Sequence, residues 1–225
     1  MIKIGHRGAM GYAPENTIRS FEVAIEMGAP VIELDVTRCA TGEVVVIHDD
    51  RVDRTTNGDG YVYDFSLDQL KKLDAGDGEQ IPTLKEAMLA LAGKCQLNIE
   101  LKNRSVASEV ARLIDEEVTA GRWSKTDLLI SSFDHEALKA FQELQPALRI
   151  GVLIGIIPLN LRNIIGDLKA YSVNPCLDFI NNKLIADARE QGLKVFVWTV
   201  NHPEDIARMK KMEVDGIFTN YPDRL

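Results

Sequence analysis

The sequence predicts one α/β domain over residues 1–225, a (β/α)8 barrel with a small insertion after its second strand. Three observations predict it. Short β-branched runs alternate with amphipathic stretches of helical period along almost the whole chain, a pattern that implies parallel strands with right-handed crossovers. Eight main strand candidates can be counted, which favours a closed barrel over an open doubly wound sheet. The length of 225 residues suits one such barrel, which typically has about 250.

The elements follow in order. Ile2–Gly5 reads as the first strand and Asn16–Met27 as a helix, with Ile18, Phe21 and Ile25 on one face, Asn16 as a candidate N-cap and Gly28 as its stop. Val31–Val36 is the second strand, and Glu43–Ile47, after the Thr41-Gly42 turn, is its hairpin partner or continuation. Residues 49–80 break the rhythm with turn formers and one short helix candidate, Leu67–Leu73. They read as an excursion too poor in apolar residues for a core of its own. Helix Leu84–Ala92, strand Gln96–Leu101, helix Val106–Ala120 and strand Asp127–Ser131 resume the alternation. Helix Glu136–Leu144, strand Arg149–Ile154, helix Leu159–Lys169 and the short strand Ser172–Asn174 continue it. Helix Asn182–Gln191, strand Lys194–Thr199, helix Pro203–Met212 and strand Gly216–Thr219 complete it. A last outer helix is missing after Thr219, which is expected to leave an apolar edge open to a partner subunit in a homo-oligomer.

Composition narrows the function. With 45% hydrophobic and 27% charged residues, the chain buries a full core and is not a disordered tail. A formal net charge of −8 argues against nucleic acid as the partner, because tracking phosphates needs a basic stripe. A small anionic substrate stays open, since a local cluster of cations outweighs the global sign. Cys39, Cys95 and Cys176 show no CxxC spacing and read as reduced, mostly buried thiols. Neither a signal peptide nor an apolar run long enough to anchor the chain in a membrane is evident, so a cytoplasmic protein is expected.

Charged residues then fall where a barrel interior should be apolar. His6 and Arg7 follow the first strand, Glu33 and Asp35 lie within the second, His48 ends the adjoining run, and Glu100 and Lys102 end the third. Residues i and i+2 of a strand share a face, so each carboxylate pair or ion pair points one way. Such charges are costly unless paired or bound to a metal. One pair would read as a structural ion pair; three carboxylates, two histidines and two cations at the same end of neighbouring strands read as a site. Three carboxylates without cysteine form a hard oxygen site for Mg²⁺, Ca²⁺ or Mn²⁺, with Zn²⁺ open only if a histidine ligates. A cation beside Arg7 and Lys102 answers the charge of a phosphoryl group, and two histidines can act as acid and base across a phosphorus centre.

His6-Arg7-Gly8, Pro14-Glu15-Asn16-Thr17, Glu33-Leu34-Asp35-Val36 and His48-Asp49 together resemble the glycerophosphodiester phosphodiesterases. So do Glu100-Leu101-Lys102, Ser131-Ser132-Phe133, Val197-Trp198-Thr199-Val200-Asn201 and Asp215-Gly216-Ile217, in family order over essentially the whole chain. The HRG triplet alone is weak; the ordered set is specific. The resemblance implies a TIM barrel and hydrolysis of small-molecule glycerophosphodiesters to glycerol 3-phosphate and an alcohol. It implies Glu33, Asp35 and Glu100 as ligands of one divalent cation, Mg²⁺ or Ca²⁺. It gives His6 and His48 the acid–base role, and Arg7 and Lys102 the phosphate contacts. Phe133 and Trp198 would line the glycerol side, with Asn16 near the site. A cyclic phosphate intermediate is consistent with those roles.

Other residues have plainer explanations. His135 and His202 are expected at helix starts or on the surface, and Asn16 is as well explained by capping as by the site. Trp198 also suits a buried strand. Glu15 is a weaker candidate for orienting a catalytic group. Gly5 and Gly8 permit close backbone approach. Asp49, Asp50, Asp53 and Asp59 lack the spacing of a Ca²⁺ loop and read as a solvated face. Three rival functions remain: a phospholipase D-like or lyase variant that acts on lysophospholipids and releases a cyclic phosphate, a non-catalytic binding protein on the same fold, and a carboxylate–metal barrel acting on a carbonyl substrate.

Overall fold

Strand β1 (Ile2–Gly5) lies between β2 (Val31–Arg38) and β9 (Gly216–Thr219), and both pairings are parallel. That double pairing closes the barrel in the computed structural model, which describes all residues, 1–225. Between them run β4 (Gln96–Leu101), β5 (Leu128–Ser132), β6 (Arg149–Ile154), β7 (Ser172–Pro175) and β8 (Lys194–Val197), each parallel to its neighbours. The eight parallel strands are those the periodicity indicates, and together they form a TIM barrel. Strand β3 (Val44–Val46) is the hairpin partner of β2, antiparallel and opposite Val36–Arg38. Its turn uses Gly42 at φ 101°.

The crossover helices are α1 (Ile18–Glu26), α3 (Leu84–Leu91), α4 (Ala107–Thr119), α5 (His135–Leu144), α6 (Leu161–Ile165), α7 (Asn182–Glu190) and α8 (Pro203–Lys211); α2 (Leu67–Leu70) belongs to the excursion. One continuous apolar layer fills the space between helices and sheet, from Phe21 and Ile32 to Met209 and Ile217. Inside the barrel a smaller cluster of Ile4, Val31, Leu129, Phe196 and Phe218 fills the end away from the polar strand ends. The barrel is therefore a packed core on both faces of its strands, and β2 is buried along all but its last residue. No helix is long and apolar enough to cross a membrane.

Two expectations change. Thr17, not Asn16, caps α1, its Oγ1 accepting from the Ser20 N–H, which releases Asn16 for the site. The helix expected over Leu159–Lys169 shrinks to α6 because Asn160 caps its start and Gly166, at φ 56°, ends it. The excursion shares a small core with the hairpin: Val52, Val62, Leu70 and Ala75, with Ile81 just beyond it, bury themselves against Cys39, Val45 and Ile47. Three of these eight residues come from the hairpin segment, which a count over residues 49–80 alone cannot register. After β9 the chain makes one short turn, Pro222–Arg224, tied to the barrel by Lys3 Nζ on the Pro222 carbonyl and by Arg224 on the Asn201 carbonyl.

Candidate active site

Every polar residue singled out at a strand end lies at the carboxyl-terminal rim of the barrel, where βα loops build sites in this architecture. Register does most of the assembly. Asp35 on β2 lies directly opposite Glu100 on β4, and Glu33 lies two residues before Asp35 on the same face. Ligand oxygens of Glu33, Asp35 and Glu100 all come within 4.8 Å of one another, and all three residues are buried. The β2–β3 hairpin pairs Val36 with Val46, and the Ile47 N–H donates to the Asp35 carbonyl, so His48 arrives beside Asp35.

The loop after β1 is folded around this cluster. Arg7, Gly8 and Asn16 all take positive φ, at 54°, 81° and 58°. Gly8 has no alternative: a Cβ there would lie 2.4–2.6 Å from Ser20. The bend aims the Arg7 N–H at Glu33 Oε2 (2.7 Å) and Arg7 Nη1 at Glu15 Oε1 (2.7 Å). Asn16 Nδ2 donates to Asp35 Oδ2 at 2.9 Å, so Asn16 braces a carboxylate. Lys102 Nζ lies 2.8 Å from Glu100 Oε1 and 3.3 Å from Asp35 Oδ1.

The electrostatics follow from burial. Glu33 is pushed well above the usual carboxylate range by burial and then by the charges of Asp35 and Glu100. Glu100 is raised to about 7 by burial and next by Asp35. Burial also works against Asp35, but Lys102 and Arg7 outweigh it and hold Asp35 below its ordinary range. A divalent cation among these oxygens removes the mutual repulsion, and the all-oxygen donor set suits a hard ion. The residues present therefore fit such an ion. Arg7 Nε is buried without a hydrogen-bond partner, 3.3 Å from Asp35 Oδ2, leaving donor capacity on that guanidinium.

The histidines differ in their support. His6 Nδ1 lies 2.7 Å from Asn220 Oδ1, and with that oxygen as acceptor the ring proton sits on Nδ1 and the lone pair on Nε2. Asn220 is held in turn by Asn201 Oδ1, which accepts its backbone N–H at 2.8 Å. Burial, then the Arg7 charge, lowers the His6 pKa to about 4, so the ring is neutral at pH 7. His48 Nδ1 instead lies 2.5 Å from the Asp49 carboxylate.

His6, Arg7, Glu33, His48, Glu100, Ser131, Phe133, Leu153, Trp198 and Phe218 line one cleft. Phe133 and Trp198 meet edge-to-face at 5.3 Å on its apolar wall. Asn16, Asp35 and Lys102 are not among the lining residues; Asn16 bonds to Asp35, and Lys102 to Asp35 and Glu100. Asn220 and Arg54 were not singled out from sequence. Asn220 follows the last strand by one residue, the position that marked His6, and that rule would have found it; Arg54 carries no such signal. Of the residues set aside, His135 Nε2 contacts the Leu153 carbonyl at 3.0 Å and His202 is exposed at the start of α8.

Comparison with known proteins agrees with this architecture. Residues 6–224 match the model of the glycerophosphoryl diester phosphodiesterase family. A glycerophosphodiester phosphodiesterase of Caldanaerobacter subterraneus subsp. tengcongensis is 40% identical over 100% of this chain and 96% of its own length. The structure of an Oleispira antarctica phosphodiesterase in complex with the product sn-glycerol-3-phosphate superimposes with a TM-score of 0.91 at 32% identity, covering 100% of this chain and 94% of that one. The glycerophosphodiester phosphodiesterase of Thermotoga maritima gives 0.82 at 31% identity, covering 99% and 96%. With a full-length family match and the same barrel, the chain belongs to the glycerophosphoryl diester phosphodiesterase family.

Proposed function

We propose that the protein hydrolyses glycerophosphodiesters to glycerol 3-phosphate and an alcohol, using one divalent cation and the histidine pair. One observation carries this reading: His6 and His48 face the same cleft as Arg7, Glu33 and Glu100. Glu33, Asp35 and Glu100 would hold the cation, Mg²⁺ or Ca²⁺, which when bound neutralises phosphate charge and polarises a phosphoryl oxygen. Arg7 adds a fixed positive donor, and the Phe133–Trp198 wall receives the glycerol carbons.

His6 is the base of the first step. Its Nε2 takes the proton of the glycerol hydroxyl next to the phosphodiester, and that oxygen attacks phosphorus to close a cyclic phosphate. His48, held by Asp49, gives a proton to the departing alcohol. In the second step His48, now neutral, takes a proton from water; the water oxygen opens the ring, and His6 returns its proton to the glycerol oxygen. The intramolecular nucleophile gives the first step its effective-concentration advantage. Glycerol 3-phosphate release from glycerophosphocholine or glycerophosphoethanolamine is expected to stop with chelator and return with added Mg²⁺ or Ca²⁺; release unaffected by exhaustive chelation would remove the metal from this reading.

A second reading is favoured by one feature. Ile156, Ile157 and Leu159 stand exposed after β6, Leu159 completely, and Gly155 borders Phe133. An apolar strip of this kind at the mouth suits the acyl chain of a lysophospholipid and a lyase outcome. Phosphorus NMR separates the two, since the lyase leaves cyclic phosphate as the end product and the hydrolase consumes it.

A further inference from the structure

Arg54 lies in the excursion, outside the cleft lining, yet its guanidinium joins both halves of the site. Nε and Nη2 lie 2.6 and 3.0 Å from the two oxygens of Asp49, and Nη1 and Nη2 lie 2.7 and 2.8 Å from the two oxygens of Glu15. Asp49 holds His48 Nδ1 through Oδ1, and Glu15 holds Arg7 Nη1 through Oε1. One side chain thus connects an acid–base histidine to a phosphate-facing arginine through two bidentate pairs. Only the planar fork of arginine can do this; an ammonium is a point donor.

The surroundings make the geometry rigid. Val52 is fully buried in the small core of the excursion, two residues before Arg54. Thr56 closes the turn with both its N–H and its Oγ1 on the Val52 carbonyl, and Asp53 accepts from the Gly60 N–H. The Arg54 side chain is itself 48% exposed. Exposed ion pairs contribute little to stability, so stability alone is a weak reason for such a double fork. Orientation is a better one: Asp49 fixes the ring of His48 and the tautomer it carries, and Glu15 fixes the direction of Arg7.

We propose that Arg54 is a positioning residue that holds His48 and Arg7 in their working orientations at once, making the 49–80 excursion a functional part of the site. The proposal rests on the acid–base role of His48 and the phosphate role of Arg7. Removing each arm should therefore separate in the kinetics. D49N is expected to lower kcat with little change in KM, E15Q to raise KM with a smaller change in kcat, and R54A to do both, by about tenfold or more in kcat/KM. R54K is expected to stay near R54A. Added guanidinium ion at millimolar concentration should restore part of the R54A activity with saturation, whereas equal sodium or urea should not. Thermal midpoints are expected to stay close to wild type. Wild-type kcat and KM in R54A would overturn the proposal, as would a lowered thermal midpoint with activity loss that guanidinium does not rescue. Failure of the functional reading itself looks different: the wild-type protein would then turn over no glycerophosphodiester at all.

Discussion

Two acid-rich regions of this molecule behave in opposite ways. At the ends of β2 and β4, Glu33, Asp35 and Glu100 are buried within 4.8 Å of each other, and Asp35 is only 1% exposed. In the excursion, Asp53 and Asp59 are open to water, Asp59 at 86%, and both pair with Arg51. Identical chemistry gives different outcomes because solvent decides the strength of the charge interactions. Burial, and then the charges of their neighbours, raise the Glu33 and Glu100 carboxylates and poise them to exchange a proton for a cation, whereas Lys102 and Arg7 hold Asp35 low. Exposed ones need only a nearby arginine. Asp49 stands between the regions: half-buried, bound to Arg54 and His48, it turns a surface ion pair into a brace for the site.

The largest effect is expected at the histidines that face the buried cluster. H6A and H48A should each lose about 10²–10⁴-fold in kcat while retaining cation affinity, measured by isothermal titration. Loss of cation binding in either would make that histidine a ligand and extend the buried cluster beyond its carboxylates.

A smaller effect separates the regions by protonation. E100Q should weaken cation affinity by about tenfold to a hundredfold. In the wild type, Glu100 titrates at about 7 and holds a proton below that pH, which the cation must displace. Affinity should therefore fall as pH drops from 8 to 6, and E100Q should flatten that slope. Pairing with Lys102 and Arg7 keeps Asp35 ionised over the same range, so it adds nothing to the slope.

The smallest effect is expected in the exposed region. D59N removes one partner of Arg51 and should leave kcat, KM and cation affinity at wild-type values. A measurable loss of cation affinity would mean that the two regions communicate through more than Asp49 and Arg54.

Much of this was legible because local rules and global position agree. Alternating strand and helix periods mark the eight strands, and charges at strand ends mark His6, Glu33, Asp35, His48 and Glu100, since such residues have no other reason to occupy buried strand positions. Asn16 shows where legibility stopped. Its place before α1 is equally good for capping, and only the Thr17 cap and the Asp35 contact decide between the two. The phosphate-contact role that the resemblance implies for Lys102 says nothing of its neighbours, and it is the fold that brings its Nζ to Glu100 and Asp35. Arg54 was invisible because its partners, Glu15 and Asp49, are 39 and five residues away, and no period connects them.

The sequence by itself determined the barrel, the end of it that carries chemistry, and the carboxylate and histidine identities, because period and residue type act over a few neighbouring positions. The tertiary structure decided register and reach. It set Asp35 opposite Glu100, brought His48 back through the β2–β3 hairpin, gave His6 its neutral character through burial beside Arg7, and folded the excursion so that Arg54 spans both arms. Those outcomes depend on distances between segments far apart in the chain and on the water excluded between them, which neither spacing nor composition encodes.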